Sequence, residues 1–364
     1  MATSFEKHNR IYLKMFEKNI LKRKFLRISF FAGKCFLCIL MTIKLQAQDP
    51  EFSQFFSAPL HLNPALAGMA YGPRINMNYR NEWPGLGPGA NGGFVTYMVS
   101  YDQHIEAIRS GIGFAFLSDR IASGILSEYT ARLMYSTQIR VAKHFGVRLA
   151  LEGSYTQRNL DWAKLLIQDQ NNSLIEFSNI INVPSVASQT PPSDLKISYF
   201  DMAAGALFFS EKHFIGIGVK HFLQPNQSHN EGESKLPVRA AAHAGSIIYI
   251  NQRNNSYFSP NILYAHQQSF VQINAGVLVN VDFLFGGLWF RHTISNPDAV
   301  IALVGFRKSI FKIGYSYDIT ISKLRSATGG VHELSLSFQF KGDDNSLSPR
   351  ARRGILDCPD ILNF

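Results

Sequence analysis

Residues 311–340, FKIGYSYDITISKLRSATGGVHELSLSFQF, constrain the fold more than any other stretch. In its first half Phe311, Ile313, Tyr315, Tyr317 and Ile319 alternate with Lys312, Gly314, Ser316 and Asp318. In its second half Leu334, Leu336, Phe338 and Phe340 alternate with Glu333, Ser335, Ser337 and Gln339. A period of two sends successive side chains to opposite faces of a strand. One face is aromatic and apolar; the other is small, polar and charged. A half-buried soluble sheet fits this pattern, and so does a membrane barrel with lipid outside and water within. A last strand that ends in Phe is expected of the barrel.

The rest of the chain decides between them. From Gly72 onward 14 candidate strands fall near 73–82, 92–101, 110–118, 125–142, 145–158, 196–210, 213–223, 237–251, 256–266, 268–281, 283–292, 298–307, 310–319 and 331–340. The fourth is the cleanest: Tyr129, Ala131, Leu133, Tyr135, Thr137, Ile139 and Val141 against Glu128, Thr130, Arg132, Met134, Ser136, Gln138 and Arg140. The runs 92–101, 110–118 and 283–292 are apolar on both faces, which a packed lumen would explain. Gaps after even strands are mostly short, as at 143–144 and 211–212. Gaps after odd strands are mostly long: 83–91, 119–124, 159–195, 224–236 and 320–330. Barrels of the outer membrane show this asymmetry, with short periplasmic turns and longer outer loops. The gaps after strands two and nine are exceptions. The expected fold is all-β: a transmembrane, antiparallel, up-and-down outer-membrane β-barrel of about 14 strands.

In such a barrel Arg132, Arg140, Arg148, Lys220, Arg307 and Lys312 face inward, with Glu128, Glu152, Asp318 and Glu333. A Lys or Arg facing lipid at the midplane would cost about 2–4 kcal/mol. Structural pairs lining the lumen are the plain reading of these charges, and a selectivity ring the sharper one. Tyr315 and Tyr317 fit an interfacial aromatic girdle. Asp318 is expected to meet Arg132 or Lys312, and His332 beside Glu333 reads as a strand-end pair.

The formal charge of +10 suggests nucleic acid and misleads. Residues 1–47 hold 10 of the 36 Lys/Arg and 2 of the 26 acids; the remainder carries 26 against 24. The basic balance belongs to a leader, not to a binding surface. Its basic LKRKFLR precedes the apolar run ISFFAGKCFLCILMTI, and small Ala47 precedes QDP. This reads as a secretory signal cleaved after Ala47, with Met15 as an alternative start and a transmembrane anchor as the alternative role. Cys35 and Cys38 fall in the leader, so the remaining chain keeps only Cys358 and has no internal disulfide.

Residues 48–71 form a non-strand segment, periplasmic or lumenal, too apolar for a disordered linker. Phe52, Phe55, Phe56, Leu60, Leu62 and Leu66 need a lumen or a partner to pack against. Beyond the barrel, 72–340, a tail at 341–364 should lie in the periplasm. Its Arg350, Arg352, Arg353 and Cys358-Pro359 make either a disordered end or a docking peptide.

No G-x-S-x-G elbow, H-E-x-x-H or P-loop occurs, and no C-x-x-C after residue 47. His144 and His213 sit in or beside short turns, where solvated structural roles are expected. No catalytic, cofactor-binding or metal-ligating residue is assigned, and no cofactor is expected.

QDPEFSQFFSAPLHLNPALAG at 48–68 resembles the amino-terminal signature of PorP/SprF-type membrane proteins of the type IX secretion system. GYSYDITIS at 314–322 followed by HELSLSF at 332–338 resembles the same family's carboxy-terminal signature. The resemblance brackets nearly the whole chain after residue 47, and the middle strands add architecture only. The family-signature and partner-binding candidates are Asp49, Phe52, Ser53, Gln54, Pro59, Asn63, Pro64, Ala65 and Gly68 in the first motif. In the second they are Gly314, Tyr315, Tyr317, Asp318, Ser322, His332 and Glu333, and in the tail Arg352, Arg353, Cys358 and Pro359. The resemblance implies an outer-membrane barrel of Bacteroidetes type, serving protein secretion and in some members gliding motility. Implied partners are adhesin-like cargo, periplasmic ring components and a peptidoglycan-binding protein, with outer-membrane lipid around the barrel and no nucleic acid. A diffusion channel or small-solute transporter is the alternative, and an outer-membrane hydrolase the least supported.

Overall fold

The computed structural model describes residues 49–70, 72–85, 93–142, 144–165, 191–230, 232–251, 256–293, 296–321 and 329–340. Fifteen strand segments follow one another: β1 Arg74–Glu82, β2 Phe94–Ile105, β3 Ser110–Ile121, β4 Leu126–Ala142, β5 Phe145–Leu160, β6 Lys196–Ser210, β7 His213–Lys220, β8 Arg239–Ser246, β9 Ile248–Asn251, β10 Ser256–Gln267, β11 Phe270–Val281, β12 Leu284–Thr293, β13 Asn296–Lys308, β14 Phe311–Thr320 and β15 Val331–Gln339. Both β8 and β9 pair with β10, so they are two pieces of one strand broken at Ile247, and 14 strands form the wall. Each strand pairs antiparallel with its sequence neighbours, and β1 pairs with β15 from Arg74↔Gln339 to Glu82↔Val331, which closes the cylinder. No sheet edge is left between first and last strand, as a lipid setting requires.

The period of two shows directly in burial. In β4, Leu133 is 62% exposed and its neighbour Arg132 8%. The outer face carries Tyr97, Phe114, Phe116, Leu151, Phe200, Leu288 and Val304, all exposed. Polar and charged side chains turn inward: Asn76, Asp102, Arg148, Glu152, Asn274 and Glu333 are buried. No described helix is long and apolar enough to cross a membrane.

Connections of 106–109, 143–144, 211–212, 252–255, 282–283 and 309–310 lie at one end of the wall. The other end carries 83–93, 161–195, 221–238 and 321–330, and the short 122–125, 268–269 and 294–295. The expected long gap after the second strand is corrected. β2 continues to Ile105, because Asp102 keeps the inward alternation and pairs with Arg74, leaving 106–109 as a short turn. The gap expected to be long at 119–124 is likewise corrected to a short connection, because β3 continues to Ile121, and the short 268–269 connection remains an exception.

Candidate functional site

Residues 49–70 run through the lumen. Three prolines, at 50, 59 and 64, prevent a long helix, and the segment folds into single turns at Phe55–Ser57, Pro59–Leu62 and Pro64–Leu66. Phe52, Leu60, Ala65 and Leu66 are at most 2% exposed. On one side Phe55, Phe56, Leu62, Leu66 and Met69 pack with inward Leu207, Phe209, Phe214, Phe285 and Trp289. The Phe56 and Trp289 rings stack with centroids 5.2 Å apart. On the other, Phe52, Ala58, Leu60 and Ala67 meet Met98, Leu117 and Met134. Hence β2, β3 and β12 are apolar on both faces: one faces lipid, the other this segment. Each buried Leu or Phe contributes about 1.5–3 kcal/mol.

Such irregular backbone leaves amide and carbonyl groups that must find partners when buried. The inward charges of the wall supply them. At the long-loop end, the Glu333 carboxylate accepts from Ser53 N at 2.8 Å and Gln54 N at 3.0 Å. Ser53 Oγ donates to Asp318 at 2.5 Å, and Gln54 Nε2 to Ser316 Oγ at 3.1 Å. Arg291 donates to Asp318 at 2.8 Å, while Arg80 lies 3.3 Å from Glu333 and donates to Ser53 Oγ at 2.6 Å. Lys220, the last residue of β7, donates to the His61 carbonyl at 2.7 Å. Asn63 Nδ2 donates to the Ala206 and Ile217 carbonyls of β6 and β7, and its Oδ1 accepts from Ala65 N. At the short-turn end, Arg148 donates to the carbonyls of Ala65 (3.0 Å) and Ala67 (2.5 Å), and Ser136 to Ala67 (2.6 Å). Asp102, clamped by Arg74 at 2.9 Å, accepts from Gly68 N at 2.8 Å.

The His61 imidazole sits between the Pro50 carbonyl and Arg132. Its Nε2 faces the Pro50 carbonyl at 2.9 Å and therefore carries the proton; Nδ1 accepts from Arg132 at 3.2 Å.

The segment begins in an ionic latch. His221, just past β7, lies 2.7 Å from Asp49 and 2.5 Å from Asp201, and Arg239 pairs with Glu51. Burial opposes charge on both partners. Even so, His221, then Arg239 and Lys220, hold Asp49 well below the usual carboxylate range, and Asp49 with Asp201 pushes His221 up to about 9. The His221 contribution is whole below its ordinary 6.5 and is lost as pH rises through about 9. That of Asp49 is whole above 3.8 and lost only in stronger acid. The thermal midpoint of the detergent-folded protein should therefore fall as pH rises from 6.5 through about 9, and the fall should be smaller in His221→Gln.

The two sequence signatures thus meet, with Ser53 and Glu333 bonded across 280 positions. Asp49, Phe52, Ser53, Gln54, Asn63, Ala65 and Gly68 all touch the wall or fill the lumen, and Pro59 and Pro64 start helical turns. Gly314 leaves room for Gln54: a Cβ there would sit 3.0 Å from its Oε1. Tyr315 and Tyr317 lie on the outer face with His332, whose Nδ1 is 2.8 Å from the Tyr315 hydroxyl. Ser322, Arg352, Arg353, Cys358 and Pro359 lie outside the described residues.

Two expectations are corrected. Asp318 pairs with Arg291 and Arg80, not with Arg132 or Lys312, because those residues lie near it at the long-loop end. His332 and Glu333 are not a pair: adjacent strand residues point to opposite faces, one outward and one to Ser53. Arg74, Asp102, Arg80, His221, Arg239 and Arg291 were not singled out by sequence. Their inward register was the available signal for all but His221, which follows a strand end.

The family model for "Type IX secretion system membrane protein PorP/SprF" matches residues 44–338. No curated protein matches the chain. Similar solved structures include the toluene transporter TbuX of Ralstonia pickettii, with TM-score 0.48 and 10% identity, covering 79% of this chain and 94% of that one. The outer membrane protein Omp33 of Acinetobacter baumannii gives TM-score 0.42 and 8% identity, covering 75% of this chain and 100% of that one.

Proposed function

Because the chain belongs to the PorP/SprF family of type IX secretion system membrane proteins, we propose that it supports export or surface anchoring of cargo such as adhesins as a closed outer-membrane barrel, not as a diffusion channel or an enzyme. The observation that carries this reading is the occupied lumen: the segment 49–70 fills it, and the inward Glu333, Arg148 and Lys220 bond that segment's backbone. Charges so engaged do not form a selectivity ring. The long loops then offer the surface for cargo. The tail 341–364, with Arg352, Arg353 and Cys358-Pro359, docks periplasmic ring and peptidoglycan-binding components of the machinery. The leader 1–47 is a signal removed on export. Gliding motility in a Bacteroidetes host is the setting in which adhesin display is used.

Two measurements test this. The purified protein should be silent in planar bilayers, and a steady open conductance would favour transport instead. Intact protein should capture secretion components from outer membranes, and deletion of 341–364 should abolish capture and impair secretion while the barrel still folds. Unchanged secretion would remove the docking role of the tail.

A further inference from the structure

The direction in which the inner segment is threaded carries a topological consequence. Its first described residue, Asp49, is fixed by His221 and Gln267, which follow β7 and end β10; its Glu51 is fixed by Arg239, which begins β8. All three sit at the long-loop end of the wall. Its last glycine, Gly68, is fixed by Asp102 and lies against Gly111, at the short-turn end where β1 begins. The chain therefore passes through the barrel from the long-loop mouth to the short-turn mouth before the first strand. Long loops of such barrels face the outside.

We propose that the mature amino terminus is presented at the cell-surface mouth of the barrel, so that it is a surface-exposed handle and not a periplasmic one. This rests on the reading above of an exported barrel with a cleaved leader. A leader retained in the inner membrane could not deliver Asp49 to the far side of the outer membrane through a filled lumen. Cleavage must therefore precede closure of β1 on β15.

The test is single-cysteine labelling of the full chain in a Cys35→Ala, Cys38→Ala, Cys358→Ser background. A Gly-Ser-Cys-Gly-Ser insertion between Gln48 and Asp49 places the probe. It is kept off position 48 because Leu45-Gln46-Ala47 followed by cysteine would itself resemble a lipoprotein acceptor. Glu233→Cys reports the long-loop side and Lys212→Cys the short-turn side; both native residues are exposed. Intact cells treated with a membrane-impermeant maleimide should label the insertion and Glu233→Cys, and label Lys212→Cys only after permeabilisation. If Glu233→Cys stays unlabelled, the orientation reading fails. If Glu233→Cys labels while the insertion labels only after permeabilisation, or only after denaturation, the proposal alone fails. A labelled product still carrying the leader's mass also overturns it. Heat-modifiable migration confirms that each variant has folded.

Discussion

Glu333→Ala should turn a silent barrel into a conducting one. This carboxylate accepts two backbone N–H groups, from Ser53 and Gln54, and lies 3.3 Å from Arg80. Removing it leaves both amides without that acceptor and leaves Arg80 with less opposite charge at a site 1% exposed. Breaking a buried ion pair by deleting one partner costs about 3–5 kcal/mol. The wall keeps its ladder hydrogen bonds, so the loss falls on the docking of the segment. Residues 52–57 should loosen from the wall, while Asp49 and Glu51 stay latched by His221 and Arg239 and Asn63 to Gly68 remain held by β6, β7 and Arg148. Conductance events absent from the wild type should appear. Chymotrypsin should cut at Phe52, Phe55 or Phe56, which the folded wild type protects. Trypsin should report nothing there, since 48–70 contains no Lys or Arg. Glu333→Gln, which keeps one carbonyl acceptor, should show a smaller effect. A variant that stays silent and uncut would show that the latch at Asp49 and Glu51, the Ser53–Asp318 bond and the apolar packing hold the segment without this carboxylate.

The wall was legible because lipid outside enforces the alternation over every strand, and loop asymmetry followed from the two ends facing different media. The end of β2 was not legible. Its last residues, Asp102 to Ile105, look like turn chemistry until Arg74 is known to need Asp102. Strands apolar on both faces pointed to a packed lumen, but not to which side chains fill it. Trp289 finds Phe56 across the barrel, more than two hundred positions away in sequence. Register likewise says that Arg291 and Asp318 point inward, not that they meet, because contacts across a lumen depend on tilt and stagger. The amino-terminal motif was readable as apolar and partner-seeking. That its partner is the carboxy-terminal motif of the same chain required the closed cylinder.

Gly68→Ala should detach the other end of the segment. Gly68 has φ +63°, a left-handed conformation that costs an L-residue about 1–2 kcal/mol. Space is the harder obstacle. A Cβ there would lie 2.4 Å from Gly111 Cα and 2.7 Å from the Gln103 carbonyl oxygen, both backbone atoms that no rotamer can move. Forcing such a group into a packed site adds about 1–3 kcal/mol. Relief requires the chain at Ala67–Gly68 to shift, which pulls Ala67 O from Arg148 and Ser136 and Gly68 N from Asp102. The Arg74–Asp102 pair would then keep each other but lose the amide they orient around. The effect should therefore exceed that of any single lost contact: a lower thermal midpoint, a smaller heat-modifiable folded fraction, and chymotryptic cleavage within the segment. Gly153→Ala supplies the comparison, because a Cβ there meets nothing within 4 Å and should change stability by less than about 0.5 kcal/mol. Equal behaviour of the two variants would mean that the segment is not anchored at its inner end, and that the lumen is held shut from the long-loop mouth alone.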